Sequence, residues 1–107
     1  MIVDFIKRIF ASEDSEKLIE AIKNGAILID VRSKGEFASG SVKNAVNIPL
    51  NEISNQKNKL KDKESIVVFC KSGMRSKQVQ SVLKQAGFKN VFNGGSLQNM
   101  KKIMNYL

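Results

Sequence analysis

The chain has a single cysteine, Cys70, and the residues after it are not typical of a protein core. The segment Cys70–Ser76 contains a lysine, a glycine, an arginine and two serines. A lone cysteine after a buried strand is usually a small apolar core residue. Here the polar composition favours a reactive thiolate, which is the form of cysteine that acts as a nucleophile.

The neighbouring segments predict how this cysteine is positioned. Ile66–Phe69 is a short apolar run that predicts a buried strand, and apolar residues at helical spacing follow the polar segment. Lys71–Ser76 is then a six-residue turn that directs backbone N–H groups and a helix N-terminus towards Cys70. Such N–H groups contribute about 1.5–3 kcal/mol when they bind a charged group, more than the roughly 0.3–1 kcal/mol of a helix terminus. We therefore expect a lowered pKa for Cys70, with Lys71 and Arg75 adding positive charge.

Composition limits the chemistry available. A chain of 107 residues with 42% hydrophobic and 26% charged residues is expected to form one soluble domain with its own core. One cysteine and no histidine exclude an internal disulfide, the usual zinc sites and a Cys–His catalytic pair. We therefore expect no metal and no cofactor. The cysteine usage indicates a reducing compartment, and we expect the cytoplasm.

The formal net charge of +8 has three interpretations. Excess lysine on a solvated surface is the one we favour, because net charge affects solubility and association more than fold. Attraction of small anions, or of an acidic partner protein, is the second. Nucleic-acid binding is not expected, since acidic residues interrupt the lysine cluster of residues 57–63 and the chain has one tyrosine and no tryptophan for base stacking.

Residues 1–11 predict an N-terminal amphipathic helix before a main domain of residues 12–107. Apolar residues recur at helical spacing from Ile2 to Ile9. A signal peptide is not expected, because charged residues interrupt the apolar run, and no stretch approaches the roughly 20 apolar residues of a membrane span. We expect this helix to pack on the domain or on a second copy, with contact to a membrane surface as the less favoured alternative.

Short apolar runs alternate with helical patterns along the rest of the chain. Strands are predicted over Ile27–Ile29, Val46–Ile48, Ile66–Phe69 and Asn90–Phe92. Helices are predicted from the capping residues 12–15 to Asn24, over 50–60, after Cys70 up to Gly87, and over Leu97–Met104, and Gly94–Gly95 predicts a flexible turn. This alternation predicts an α/β domain with a small, mostly parallel sheet flanked by helices.

Two charged residues, Asp30 and Arg32, follow the first predicted strand. Ligands gather beyond the carboxyl ends of strands in open α/β sheets, so both are candidate supporting residues of a site. Asp30 either holds a basic residue or loop amides in place, or caps the local backbone without a further role. Arg32 is a candidate partner of Glu36 in an ion pair.

The sequence Cys-x-Ser-Gly-x-Arg-Ser after a strand resembles the active-site loop of the rhodanese, or thiosulfate sulfurtransferase, family. Other stretches, in the family's order, resemble its Asp-Val-Arg segment, its Gly-His-Ile-x-Gly-Ala-x-Asn-Ile-Pro segment and its C-terminal glycine pair: Leu28–Arg32, Gly40–Pro49 and Val91–Gly95. The resemblance extends from about Ala26 to Gly95. Ser41, Asn44 and Asn99 stand where the family usually has His, Gly and Trp, outside the cysteine loop.

This resemblance implies a rhodanese-like three-layer domain with sulfurtransferase activity. The Cys70 thiolate is expected to attack the outer sulfur of a small anionic donor such as thiosulfate, and sulfite leaves. The persulfide on Cys70 then passes its sulfur to cyanide or to a thiol acceptor, either a small molecule or a protein. The residues expected to bind the donor and the persulfide are Lys71, Ser72, Gly73, Met74, Arg75 and Ser76.

Two other functions would use the same residues. A cysteine phosphatase or arsenate reductase also has an anion-binding loop, but with one residue more between Cys and Arg than the four here, Lys71–Met74. The smaller ring favours a single sulfur over a tetrahedral oxyanion, and only Asp30 is a candidate general acid. A binding module or persulfide carrier with little turnover is the other alternative, since a fold alone does not establish activity.

Overall fold

The computed structural model describes residues 13–107, so the predicted helix over residues 1–11 and its boundary at residue 12 lie outside the described residues. The strands are β1 Ile27–Asp30, β2 Val46–Asn47, β3 Ile66–Cys70 and β4 Val91–Ser96. The α-helices are α1 Glu13–Lys23, α2 Lys34–Ala38, α3 Ile53–Gln56, α4 Met74–Gln85 and α5 Leu97–Tyr106. Short 3-10 helices, Leu50–Glu52 and Lys57–Leu60, lie on either side of α3.

These strands form one parallel sheet in the order β2-β1-β3-β4. The central strand β3 is buried at every position, as its uninterrupted apolar sequence predicts. Asp30, the last residue of β1, is the register partner of Phe69, which directly precedes Cys70. Because the carboxyl ends of parallel strands meet at the same edge, Asp30 and Cys70 are brought to one side of the sheet. The predicted parallel α/β fold is confirmed.

Helices cover both faces of the sheet, which gives the domain three layers. Successive residues of a strand point to opposite faces, and β3 shows this division clearly. Val68 and Cys70 lie in a core cluster with Leu83 of α4. Phe69 lies in a second cluster with Met100 of α5 and with apolar residues of α1. The three-layer arrangement implied by the family resemblance is therefore present.

The helix predicted over residues 50–60 is divided into three short helices. The α-helical part, α3, covers only Ile53–Gln56. The apolar spacing still acts as predicted, because Ile53 and Leu60 are both buried. The serine and asparagine residues between them have weak helix propensity, because their side chains compete for backbone hydrogen bonds. This weak propensity is consistent with the division of the segment into short helices.

The glycine pair Gly94–Gly95 lies inside β4, so the prediction of a flexible turn there is wrong. A bulge in β4 places Gly95, rather than Gly94, opposite Phe69. Gly95 has a φ of 80°, a left-handed conformation that favours glycine. A Cβ atom on Gly94 would lie 2.6 Å from Met100 Sδ. The pair therefore permits a strand bulge and the close packing of α5.

Candidate active site

The turn that follows Cys70 is shorter than the sequence predicts. Since β3 ends at Cys70 and α4 begins at Met74, only Lys71–Gly73 connect them. Gly73 has a φ of 96°, a left-handed conformation in which glycine reverses the chain without steric cost. The remainder of the predicted six-residue turn, Met74–Ser76, therefore forms the first turn of α4. Within this first turn, the N–H group of Ser76 is directed back towards the sulfur.

Hydrogen-bonding groups of this turn surround Sγ of Cys70. The Gly73 nitrogen donates to Sγ at 3.0 Å and the Ser76 nitrogen at 3.4 Å, and the Ser76 hydroxyl oxygen lies 3.5 Å from Sγ. Cys70 is at the same time 0% exposed and packs in the core cluster shared with α4. Cys70 is therefore a core residue, as a lone cysteine after a buried strand usually is, and its sulfur also lies within a ring of hydrogen-bond donors.

This environment lowers the pKa of the Cys70 thiol. Burial, the largest single effect, raises the pKa because it disfavours the charged form. The hydrogen bonds of the Ser76 hydroxyl and of the N–H groups of Ser76, Gly73 and Ser72 oppose burial, and together they outweigh it. The pKa therefore lies below its ordinary value of 9.0, in the direction that the sequence predicts.

Other residues of the predicted binding segment direct their side chains to solvent. Lys71 and Ser72 are exposed, and 76% of the surface of Met74 is accessible. Ser72 contributes its backbone N–H to the stabilisation of the thiolate. The structure thus brings Ser72, Gly73 and Ser76 around the sulfur, and leaves the side chains of Lys71 and Met74 on the surface beside it.

Arg75 is bound by Glu36, with Nη1 donating to Oε1 at 2.7 Å and Nη2 donating to Oε2 at 3.0 Å. Glu36 is fixed by a capping box at the start of α2, in which the Ser33 N–H donates to the carboxylate and the Ser33 hydroxyl accepts from the Glu36 N–H. The hydrogen bonds from Arg75, and then those from Ser33, lower the pKa of Glu36 to about 2. The predicted pairing of Glu36 with Arg32 is wrong. The Ser-x-x-Glu capping pattern was the available signal for its position.

Asp30 and Arg32 form a buried ion pair with each other. Arg32 Nη2 donates to Asp30 Oδ2 at 2.8 Å and Arg32 Nε donates to Oδ1 at 3.0 Å. The Ser41 hydroxyl donates to Asp30 Oδ2 at 2.8 Å, and Arg32 also donates to the Gly40 carbonyl at 2.6 Å. Asp30 therefore holds a basic residue in place, and its Oδ1 also accepts from the Arg32 N–H at 3.0 Å, so it caps the local backbone as well. The pair fixes the loop after α2. Ser41, at the position of the family's usual His, is part of this network.

Asn93 of β4 is a site residue that the sequence analysis did not select. Its Oδ1 accepts hydrogen bonds from the Ser76 hydroxyl at 2.7 Å and from the Gly95 N–H at 2.8 Å. Because the Ser76 hydroxyl also contacts Cys70 Sγ, Ser76 links Asn93 to the sulfur. Asparagine before glycine is common in turns, so the residue type alone did not indicate a role at the site.

No group of three or more His, Cys, Asp or Glu side chains that could hold a metal ion occurs within residues 13–107. Over the same part of the chain, no helix has the length and apolar character needed to cross a membrane.

The parallel sheet places a turn with N–H groups directed at one sulfur at the end of its central strand, which defines an α/β domain with a candidate anion-binding loop. The chain belongs to the rhodanese-like domain family, whose sequence profile matches residues 14–99. The resemblance found in the sequence is therefore confirmed.

Relatives of similar length are named as sulfurtransferases. The putative sulfurtransferase YtwF of Bacillus subtilis is 42% identical over 86 residues, which cover 80% of this chain and 82% of that protein. A sulfurtransferase of Allochromatium vinosum is 30% identical over 82 residues, which cover 75% of this chain and 77% of that protein. Among solved structures, the human single-domain sulfurtransferase TSTD1 superposes with a TM-score of 0.66 at 27% identity, over 81% of this chain and 91% of that one.

Other relatives are much longer than this chain. It spans 36% of the putative sulfur carrier protein YrkF of Bacillus subtilis and 33% of a tRNA uridine(34) hydroxylase of Prochlorococcus marinus. Membership of the family supports transferase activity in the broad sense.

Proposed function

We propose that this protein is a sulfurtransferase that carries a sulfane sulfur as a persulfide on Cys70. The observation on which the proposal depends is the approach of the Gly73 and Ser76 N–H groups to Sγ, with N–S distances of 3.0 Å and 3.4 Å. Donors that the fold directs at the sulfur stabilise negative charge there. That charge lies on Sγ before sulfur uptake and on the outer sulfur of the persulfide afterwards.

The reaction consists of two displacement steps. The thiolate of Cys70 attacks the outer sulfur of thiosulfate, an S–S bond forms to Sγ, and the electron pair of the broken S–S bond leaves with sulfite. Cyanide or a thiolate acceptor then attacks the outer sulfur of the persulfide, and Cys70 leaves as the thiolate. Neither step transfers a proton to or from Cys70, so the mechanism suits a chain without histidine.

The two basic residues of the loop have different tasks in this mechanism. Arg75 is bound by Glu36, so its charge is already partly compensated before a donor arrives. Lys71 is exposed directly after Cys70 in the chain. We therefore assign attraction of the anionic donor to Lys71, and orientation of the first turn of α4 to Arg75.

A donor must displace part of the loop before it reaches the sulfur. Cys70 has no exposed surface, so the atoms that cover Sγ have to move aside for the reaction. We assign this movement to the turn Lys71–Gly73, because Lys71 and Ser72 are exposed whereas the strand before the turn and the helix after it are packed in the core. Local openings of this kind are common at ligand-binding loops.

A phosphatase-type reaction has weaker support. It needs a general acid to protonate the leaving group, and Asp30 was the only candidate. The Asp30 carboxylate is fully buried and is bound by Arg32 and Ser41, which orients it towards the loop after α2. The short spacing between Cys70 and Arg75 also favours a single sulfur over a tetrahedral oxyanion.

A persulfide carrier with little turnover of its own is the second candidate. The observation that favours it is the complete burial of Cys70. A covered persulfide is protected from solvent, and its release then awaits a partner that opens the turn. The carrier and the enzyme form the same persulfide and differ in how fast the sulfur leaves.

Intact-mass measurement after incubation with thiosulfate tests the proposal. We expect the protein to gain the mass of one sulfur atom, mapped to Cys70 and reversed by a thiol reductant, and we expect no gain in Cys70→Ser. Thiocyanate formation from thiosulfate and cyanide distinguishes the enzyme from the carrier, which forms the persulfide but turns over slowly. Hydrolysis of an aryl phosphate without any persulfide would overturn the proposal.

A further inference from the structure

We propose that Asn93 is a positioning residue for the sulfur chemistry, because its side-chain oxygen competes with Cys70 Sγ for the single hydroxyl proton of Ser76. The proposal deepens the function proposed above and rests on it only for the persulfide step.

The Ser76 hydroxyl has more acceptors within reach than it has protons. Its oxygen lies 2.7 Å from Asn93 Oδ1, 3.1 Å from the Gly73 carbonyl oxygen and 3.5 Å from Cys70 Sγ. A hydroxyl group carries one proton, so it donates to one of these atoms at a time. Ser76 is 0% exposed, and the choice is therefore made among protein atoms.

The acceptor role of Asn93 is fixed by its second partner. The Gly95 N–H donates to Asn93 Oδ1 at 2.8 Å, and Asn93 Nδ2 faces the Gly73 carbonyl oxygen at 3.4 Å. Rotating the amide by half a turn would place its NH₂ group against the Gly95 N–H, which leaves two donors facing each other. The oxygen of Asn93 therefore stays directed at Ser76.

The protonation state of Cys70 decides where the Ser76 proton goes. A neutral thiol donates its proton to the Ser76 oxygen, which leaves the Ser76 proton on Asn93 Oδ1. A thiolate needs the Ser76 proton for itself, so the hydroxyl group must turn away from Asn93. In the persulfide the charge lies on the outer sulfur, and the hydroxyl group is free to return to Asn93. Asn93 therefore disfavours the thiolate relative to both the thiol and the persulfide.

The charged groups around the turn are not part of this competition. Arg75 interacts electrostatically with Cys70 and is bound by Glu36, while Arg32 is bound by Asp30, and Lys71 is exposed. Neither ion pair forms a hydrogen bond with Asn93. A neutral substitution at Asn93 consequently leaves these charges in place.

A double-mutant cycle between Asn93 and Ser76 tests the proposal. Asn93→Leu removes the competing acceptor at similar volume, and we expect the pKa of Cys70, measured from the pH dependence of its alkylation, to fall by about one unit, a tenfold change in the ratio of thiolate to thiol. Asn93→Asp keeps the shape, strengthens the acceptor, and should raise that pKa. In the Ser76→Ala background, we expect Asn93→Leu to leave the pKa unchanged.

The proposal would be overturned if Asn93→Leu lowered the pKa of Cys70 equally in the Ser76→Ala background, or did not lower it in the parent protein. If Asn93→Leu does not fold, as judged by circular dichroism, Asn93→Asp tests the proposal instead. The rise that it causes in the pKa of Cys70 must be smaller in the Ser76→Ala background. The persulfide step is tested separately at a fixed ratio of thiosulfate to sulfite, where Asn93→Leu should lower the ratio of persulfide to thiolate about tenfold. A parent that forms no persulfide refutes the proposed function but not the cycle.

Discussion

Arg75 of α4 and Glu36 of α2 are joined by two hydrogen bonds, of 2.7 Å and 3.0 Å, although 39 residues separate them in the chain. About a third of each side chain is exposed, 35% for Arg75 and 32% for Glu36, so the pair is expected to contribute only about 0–1 kcal/mol to stability. Its main effect is geometric, because it joins the first turn of α4 to α2 at the same edge of the sheet.

This pair predicts a specific pH dependence of stability. The native pKa of Glu36 is about 2, against an ordinary value of 4.5, so the unfolded chain binds more protons between these values. The stabilisation is therefore complete above the unfolded pKa and is lost as the pH falls towards the native pKa. We expect the free energy of unfolding, from urea denaturation at decreasing pH, to fall less steeply in Glu36→Gln. Parallel slopes in the two proteins would contradict this assignment.

Gly73→Ala is expected to weaken both the fold and the thiolate. The left-handed conformation at Gly73, with a φ of 96°, costs an L-residue about 1–2 kcal/mol, and relief of that strain moves the N–H that binds Sγ. We therefore expect a lower free energy of unfolding and a higher pKa of Cys70. Gly87→Ala is a matched control, because Gly87 has a φ of 101° and open space around it, at the other end of α4. It should lose similar stability with no change in that pKa.

Asp30→Asn is expected to be strongly destabilising. The substitution leaves the Arg32 guanidinium, in a residue only 5% exposed, without its counter-charge. Breaking a buried ion pair from one side typically costs about 3–5 kcal/mol. Ser41→Ala removes only one neutral donor to the same carboxylate, so we expect a loss of about 1 kcal/mol. If chemical denaturation gave equal losses of unfolding free energy in the two variants, the ion pair would contribute no more to stability than a neutral hydrogen bond.

The covered sulfur predicts that reagent size controls the reactivity of Cys70. Iodoacetamide needs only a small opening of the turn, whereas an aromatic disulfide reagent needs a large one. Because the observed rate is scaled by the fraction of open molecules, we expect the larger reagent to be slowed far more, relative to its rate with the protein unfolded in denaturant. A ratio of the two rates that is the same in folded and unfolded protein would rule out a closed turn.

The sequence predicts the fold well where local patterns and burial agree. The run Ile66–Phe69 is apolar at every position because β3 is covered on both faces, and that signal needs no knowledge of the partners. The glycine pair does not form the predicted turn, because glycine also permits bulges and close packing. Met100, whose Sδ would meet a Cβ on Gly94, becomes its neighbour only when α5 packs.

The candidate site shows the same division between local and distant signals. Cys70, Gly73 and Ser76 lie within a few residues of each other, so their meeting follows from a strand, a turn and a helix. The contacts of Ser76 with Asn93 and of Arg75 with Glu36 join residues that are far apart in sequence. Such pairs depend on how the layers pack, which local sequence patterns do not indicate.

The complete burial of Cys70 affects how readily its sulfur is oxidised. A thiolate with a low pKa that met solvent freely would be the first atom of the chain to be oxidised to sulfenic acid, and then irreversibly to higher acids. Peroxide would reach this sulfur only through an opening of the turn, the same movement proposed above for a sulfur donor. The resting site is thereby shielded from oxidative damage by its own geometry, whatever reductant surrounds it.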